Sequence, residues 1–167
     1  MSRSVWRIAA DTPSYQAHDL SGTGAKICGG RWNAPGLAVI YTSENRALAC
    51  LETIVHLNSG GLPLNRYLVE ITIPDAIWDL AERPTAADLA IGWEAEPPGQ
   101  VSIAFGSDWL KAGRSALLIL PSVIVPDETT ILINPEHPDS GTVTAVKRRR
   151  WLYDPRVRRS PAQPSGT

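Results

Sequence analysis

The stretch Leu37-Ala38-Val39-Ile40-Tyr41-Thr42-Ser43-Glu44-Asn45-Arg46-Ala47-Leu48-Ala49-Cys50-Leu51-Glu52-Thr53-Ile54-Val55-His56-Leu57 decides how the chain is read. Leu37 to Tyr41 is an apolar run between Gly36 and the polar Thr42-Ser43, the pattern of a strand buried on both faces. Ser43 is suited to cap a helix over Glu44–Leu57, with Glu44 set against the positive end of the helix dipole. Along that helix Ala47, Leu48, Ala49, Cys50, Leu51, Ile54, Val55 and Leu57 are apolar nearly all round, which predicts packing on more than one side. Glu52 sits in their midst. Burying a carboxylate is costly unless it is paired or hydrogen-bonded, so Glu52 asks for a nearby cation or a donor-rich ligand. The plainer alternative is an ordinary ion pair or a helix-surface contact with His56, four residues on.

Upstream, Val5–Ile8 reads as a first strand, followed by a polar loop through Asp19-Leu20-Ser21-Gly22-Thr23-Gly24. Gly29-Gly30-Arg31-Trp32-Asn33-Ala34-Pro35-Gly36 opposes both helix and sheet, and function often sits on such loops. Downstream, Asn58-Ser59-Gly60-Gly61 stops the helix, and Arg66–Ile73 alternates as a half-buried strand that Pro74 closes. Thr85–Gly99 is rich in proline, alanine and acidic residues with weak periodicity. Val101–Lys111 predicts a short helix interrupted by Gly106. Ala116–Leu120, Thr130–Ile133 and Thr142–Lys147 are further strand candidates. The order implies an α+β fold, a mixed or antiparallel sheet with packed helices. At 167 residues one domain over 1–157 is expected, with a disordered basic and polar tail over 158–167.

With 43% hydrophobic and 20% charged residues, the chain can bury a core without disulfides or metals. The net charge of −1 hides an asymmetry: Lys147–Arg159 holds seven basic residues and one acidic residue, leaving nine basic against sixteen acidic elsewhere, net −7. A basic end of this kind suits a solvated strand and tail, with a nucleic-acid contact as the alternative. The start lacks the apolar region of a signal peptide and no long apolar run follows, so a cytoplasmic chain without a membrane contact is expected. Cys28 and Cys50 form no C-x-x-C pair and read as core filler in a reducing compartment.

His18, His56 and His137 have no partners at zinc spacing, and the nucleophile-elbow, phosphate-loop and dinucleotide-loop patterns are missing. Metal hydrolase, serine hydrolase and nucleoside triphosphatase therefore lose weight, and no metal ligands are assigned. What remains is a set of polar residues attached to apolar elements: Arg31, Tyr41, Glu52 and Ser122. Each alone has an ordinary reading: a surface ion pair, a core-edge aromatic, a helix contact, a turn residue after Pro121. Residue patterns by themselves stop at an α+β domain with a polar site.

The blocks Gly29-Gly30-Arg31-Trp32-Asn33, Val39-Ile40-Tyr41-Thr42-Ser43 and Ala47-Leu48-Ala49-Cys50-Leu51-Glu52 resemble the RES-domain family, named for a characteristic Arg, Glu and Ser. Leu120-Pro121-Ser122-Val123-Ile124-Val125-Pro126, Ile131-Leu132-Ile133-Asn134-Pro135-Glu136-His137-Pro138-Asp139 and Tyr153-Asp154-Pro155-Arg156 extend the resemblance to about Arg156. Thr129-Thr130 departs from it, since the family more usually has an asparagine and an aromatic residue there.

The resemblance implies a fold similar to that of ADP-ribosyltransferases and the toxin half of a toxin–antitoxin pair. It implies cleavage of the nicotinamide–ribose bond of NAD+, with phosphate or water as acceptor. No cofactor is then needed, NAD+ being the substrate and inorganic phosphate a candidate co-substrate. Modification of a macromolecule with ADP-ribose, or a non-catalytic nucleic-acid or partner-binding module, are the alternatives. By resemblance the catalytic roles fall on Arg31, Tyr41, Glu52 and Ser122. Arg7, Trp32 and Asn33 are candidates for substrate binding. The implied partner is an antitoxin with an Xre-like helix-turn-helix domain, through which alone DNA is touched, and a toxin homodimer inside that complex is a further expectation.

Overall fold

Alternating apolar residues assemble six strands into one sheet in a computed structural model that describes residues 1–57 and 60–158. The strands are β1 (Ser2–Ala9), β2 (Ile40–Ser43), β3 (Tyr67–Pro74), β4 (Leu117–Pro121), β5 (Thr129–Ile133) and β6 (Thr144–Arg150), in spatial order β4-β5-β2-β1-β3-β6. Every neighbouring pair is antiparallel. With helices α1 (Thr23–Cys28), α2 (Arg46–Ile54), α3 (Asp75–Trp78) and α4 (Gln100–Ala112), this is the expected α+β arrangement.

β1 pairs with β3 along its whole length, from Ser2 opposite Pro74 to Ala9 opposite Tyr67, but meets β2 in register only at Trp6 and Ser43. β2 begins at Ile40, later than the apolar run from Leu37 suggests. Its partner β5 ends at Ile133, opposite Ile40, so Leu37–Val39 has no neighbour to pair with although Ala38 and Val39 are buried.

Side chains alternate across the sheet. One face carries Val5, Ile40, Val69, Ile71, Ile73, Leu117, Ile119, Ile131 and Ile133, covered by Ala17 and by Ile77 of α3. The opposite face carries Leu118, Leu120 and Leu132 beneath Trp32, Trp93 and Trp109, and, nearer β1, Trp6, Ile8 and Leu68 beneath Ala49 of α2. α2 and α4 therefore lie on the same side.

The predicted helix over 44–57 is shorter, and its cap is Asn45, whose side chain accepts from the Leu48 N–H at 2.7 Å. Ser43 cannot serve because it is the last residue of the β2 ladder, opposite Thr130. Glu44 instead accepts from the Thr129 hydroxyl at 2.6 Å. Nor is α2 packed all round: Leu48 and Ala49 are buried while Ala47 and Val55 are exposed, so its apolar composition overstates its burial. The sequence Asn58-Ser59, expected to stop it, and the tail from Arg159 lie outside the described residues.

The predicted loop through Gly24 ends instead in α1. Gly106 does not interrupt α4, which runs unbroken across it. A Cβ there would stand 1.9 Å from the Trp32 carbonyl oxygen, so this glycine is what lets α4 lie against the backbone of the glycine-rich loop. Both cysteines are free thiols: Cys28 is exposed on α1 and is not the core filler expected, whereas Cys50 is half-buried and packs against the Trp6, Ile8 and Leu68 cluster. β6 forms one border of the sheet, its exposed side chains including Arg148, Arg149 and Arg150.

Candidate active site

Glu52 projects from the last turn of α2 on the same face as the buried Leu48 and Ala49, four and three residues before it, which aims it at the end of β4. Its Oε1 accepts from the Ser122 hydroxyl at 3.2 Å. Ser122 follows β4, is 1% exposed, and its Oγ also accepts from the Ile124 and Val125 N–H groups at 3.1 and 3.2 Å. The serine is thus fixed by the turn behind it and spends its one proton on the carboxylate. Burial pushes the Glu52 carboxyl above the usual carboxylate range; the Ser122 hydrogen bond, and the charges of His56 and Arg31, pull the other way.

Arg31 reaches the same cleft from the glycine-rich loop. That loop is a tight turn closed by reciprocal backbone bonds between Gly30 and Asn33, at 3.0 and 3.4 Å. The Tyr41 hydroxyl accepts from the Trp32 N–H at 3.0 Å and donates to Asn33 Oδ1 at 2.7 Å, tying the turn to β2. Any Cβ on residue 30 would sit 2.7 Å from that hydroxyl, which requires Gly30. Desolvation raises the Tyr41 pKa well above that of a free phenol, keeping the hydroxyl protonated.

The Arg31 guanidinium is gripped in turn by the segment Trp93–Glu96. Nη1 donates to the Ala95 carbonyl at 2.7 Å and, more loosely, to that of Trp93 at 3.4 Å, while Nη2 pairs with Glu96 Oε2 at 2.7 Å. Between the two walls lies a cleft of about 740 Å³, lined by Arg31, Tyr41, Glu52, His56, Glu96 and Thr130 among others. That volume falls in the range of pockets for small organic ligands, roughly 300–1,000 Å³.

Arg31, Tyr41 and Glu52 are therefore brought together, with Ser122 directly behind Glu52. Of the other expected contacts, Trp32 also borders the cleft, whereas Asn33 and Arg7 are engaged elsewhere. Asn33 is 1% exposed, and its Nδ2 donates to the Ala25 and Leu37 carbonyls, so it holds the loop's shape. Trp32 is 3% exposed, stacked on Trp93 and edge-on to Phe105, each with centroids 6.0 Å apart; it anchors the loop on α4. Arg7 projects from the opposite face of β1, as its position beside Trp6 and Ile8 dictates, and donates to the Ala17 and Asp19 carbonyls at 2.6 and 2.7 Å. It borders a second cavity of about 230 Å³ that shares Gly24, Ala25 and Tyr41 with the first, and burial lowers its pKa to about 10.

Sequence reasoning missed Glu96 and Ser107, whose hydroxyl accepts from the Ala34 N–H at 3.0 Å. Glu96 lies in an irregular acidic stretch with no periodic signal; Ser107 follows Gly106, and that glycine inside a helical pattern was the available clue to a close approach. Among the described residues no group of three or more His, Cys, Asp or Glu is placed to hold a metal ion, and no helix is long and apolar enough to cross a membrane.

The model of the RES domain matches residues 4–155. The chain is 62% identical over 157 residues to the "Prs ADP-ribosylating toxin" of Sphingobium sp. strain YBL2, covering 94% of this chain and 98% of that one. It is 33% identical over 145 residues to "Toxin Res" of Yersinia enterocolitica, covering 86% and 93% of the two chains. "Toxin Res" of Photorhabdus laumondii is 35% identical over 144 residues, covering 86% and 90%. Domain model and named toxins coincide over nearly the full length, and the chain belongs to the RES-domain family.

Proposed function

We propose that this chain is a toxin that consumes NAD+, breaking the nicotinamide–ribose bond in the Arg31–Glu52 cleft and passing the ADP-ribose to a protein acceptor. The observation that carries the reading is Glu52, a half-buried carboxylate held at one oxygen by Ser122 and facing a cleft that also contains a guanidinium. Nicotinamide bound to ribose is cationic, so it departs with the bonding electron pair as a neutral molecule and needs no proton. The positive charge moves to an oxocarbenium-like ribose, which the Glu52 carboxylate stabilises electrostatically. Arg31 offers a fork of donors for the diphosphate, Tyr41 flanks the nicotinamide, and Ser122 holds the carboxylate in position.

The choice of acceptor leans on the relative at 62% identity, whose name gives Prs as the molecule it ADP-ribosylates. Release to water or phosphate is the second reading, to which the site is equally open, because both reach the same anomeric carbon and none of the four residues selects between acceptors. NAD+ labelled in the adenylate half separates them when incubated with the chain, Prs and inorganic phosphate. Label on Prs is the expected result; label only in ADP-ribose or its 1″-phosphate supports the second reading; no nicotinamide release by the wild-type chain overturns both. A companion antitoxin is proposed to silence the chain by covering the cleft, so a complex that consumes NAD+ as fast as the free chain would contradict it.

A further inference from the structure

The guanidinium that the proposed function gives to the substrate's diphosphate is already engaged by a carboxylate. Arg31 is 16% exposed at its side chain, whereas Glu96 is 72% exposed, and their contact is a 2.7 Å charge-assisted hydrogen bond at the wall of the cleft. The two partners are unequal in what holds them. Arg31 is fixed independently of Glu96, by the Ala95 and Trp93 carbonyls on Nη1 and by the turn that Tyr41 ties to β2. The Glu96 carboxylate has one ion-pair partner, Arg31, among the described residues, and most of its surface is in water. Withdrawing the carboxylate from Nη2 thus leaves the guanidinium in place with its charge uncovered.

We infer that Glu96 is a further binding-site residue that occupies the anion seat of Arg31 and must be displaced by the substrate's diphosphate. The inference rests on the proposed NAD+-consuming function. Its physical basis is competition: a carboxylate and a phosphate oxygen seek the same planar donors, and a doubly charged diphosphate outbids a singly charged side chain held by one contact. A ligand without that charge, such as nicotinamide riboside, gains nothing at Nη2. Glu96 therefore weakens the binding of every diphosphate ligand by the strength of its own pair with Arg31, whereas fragments that lack the diphosphate do not meet that competition.

Calorimetric titration with ADP-ribose tests this without any turnover. Glu96→Gln removes the competing charge, and its affinity for ADP-ribose is expected to rise about two- to fivefold, the worth of an exposed ion pair. Glu96→Asp, which shortens the reach but keeps the charge, should fall between it and the wild type. Glu94→Gln removes the same charge two residues away on an exposed side chain and should leave the affinity unchanged. Equal or weaker binding by Glu96→Gln would overturn the inference, since a carboxylate that merely steadies Arg31 would be missed when lost. An equal gain in Glu94→Gln would overturn it too, by pointing to the general field of the acidic body. If the wild type and all three variants bind neither ADP-ribose nor NAD+, the proposed function itself falls.

Discussion

Glu52 stands on a helix and is held by a serine locked into the turn after a strand, whereas Arg31 hangs between glycine-rich loop residues and is held by the carbonyls of a second loop. The two walls of one cleft are thus built to different stiffness. In the proposed reaction, regular elements set the carboxylate against the bond to be broken, where a small displacement is expensive. Loops, fastened at a few points to β2 and α4, present the cation, where by the same proposal a carboxylate and a phosphate change places. The difference suggests that chemistry fails when the first wall is altered and that fold and affinity suffer when the second is.

The sharpest way to break that contrast is Glu52→Gln, which keeps the shape and the Ser122 contact but removes the charge. Nicotinamide release should fall by about 10²–10³, corresponding to roughly 3–4 kcal/mol of barrier. A loss of less than tenfold would mean that the rigid wall does not carry the reaction. Next in size is Gly106→Ala, aimed at the loop wall. An alanine there meets the Trp32 carbonyl, so the variant should lose about 2–3 kcal/mol in chemical denaturation. In an ordinary helix the same change gains about 1 kcal/mol, so a stabilised variant would show that α4 does not bear on the loop.

Tyr41→Phe refines the comparison further. It leaves the ring but deprives the Trp32 N–H and Asn33 Oδ1 of their partner, costing about 1–2 kcal/mol of stability and weakening ADP-ribose binding through Arg31. Unchanged binding in this variant would separate the position of Arg31 from the tether on β2.

The smallest effect is a pH dependence of stability. Burial raises the Glu52 pKa above its unfolded value near 4.5, so the folded chain holds that proton more tightly. The corresponding stability is fully present below the unfolded value and is lost as pH rises through the raised one. Glu52→Gln has no such titration, and its melting temperature should gain on that of the wild type between pH 4.5 and neutrality. A gap that stays constant over this range would mean that the carboxylate is not desolvated.

Much of this architecture could be read from residues alone, for reasons that differ by element. β3 was legible because Val69, Ile71 and Ile73 face one core while Leu68 and Glu70 face the other way, a period of two that survives in the sequence. α1 was not, because six residues with none buried leave no apolar stripe to detect. Composition misjudged α2, since alanine and valine on an exposed face look the same as on a buried one. At the site, Arg31, Tyr41, Glu52 and Ser122 emerged as polar residues on apolar elements, and only their resemblance to a family joined them. Arg7 and Asn33 shared those neighbourhoods but were turned elsewhere by strand alternation and loop closure, which one-dimensional proximity does not encode, while Trp32 borders the cleft with most of its surface packed on Trp93 and Phe105. Glu96 had no signal at all, lying 65 residues from the arginine it binds.

The border strand β6 has a further consequence for how copies of the molecule meet. Lys147, Arg148, Arg149 and Arg150 run consecutively along it; the first two are matched by Asp11 and Glu70, while Arg149 and Arg150 have no carboxylate partner among the described residues and donate to backbone carbonyls. Were two copies to zip together along this seam, cations would be stacked against cations, a repulsion that guards an unpaired ladder from runaway fibre growth at low ionic strength.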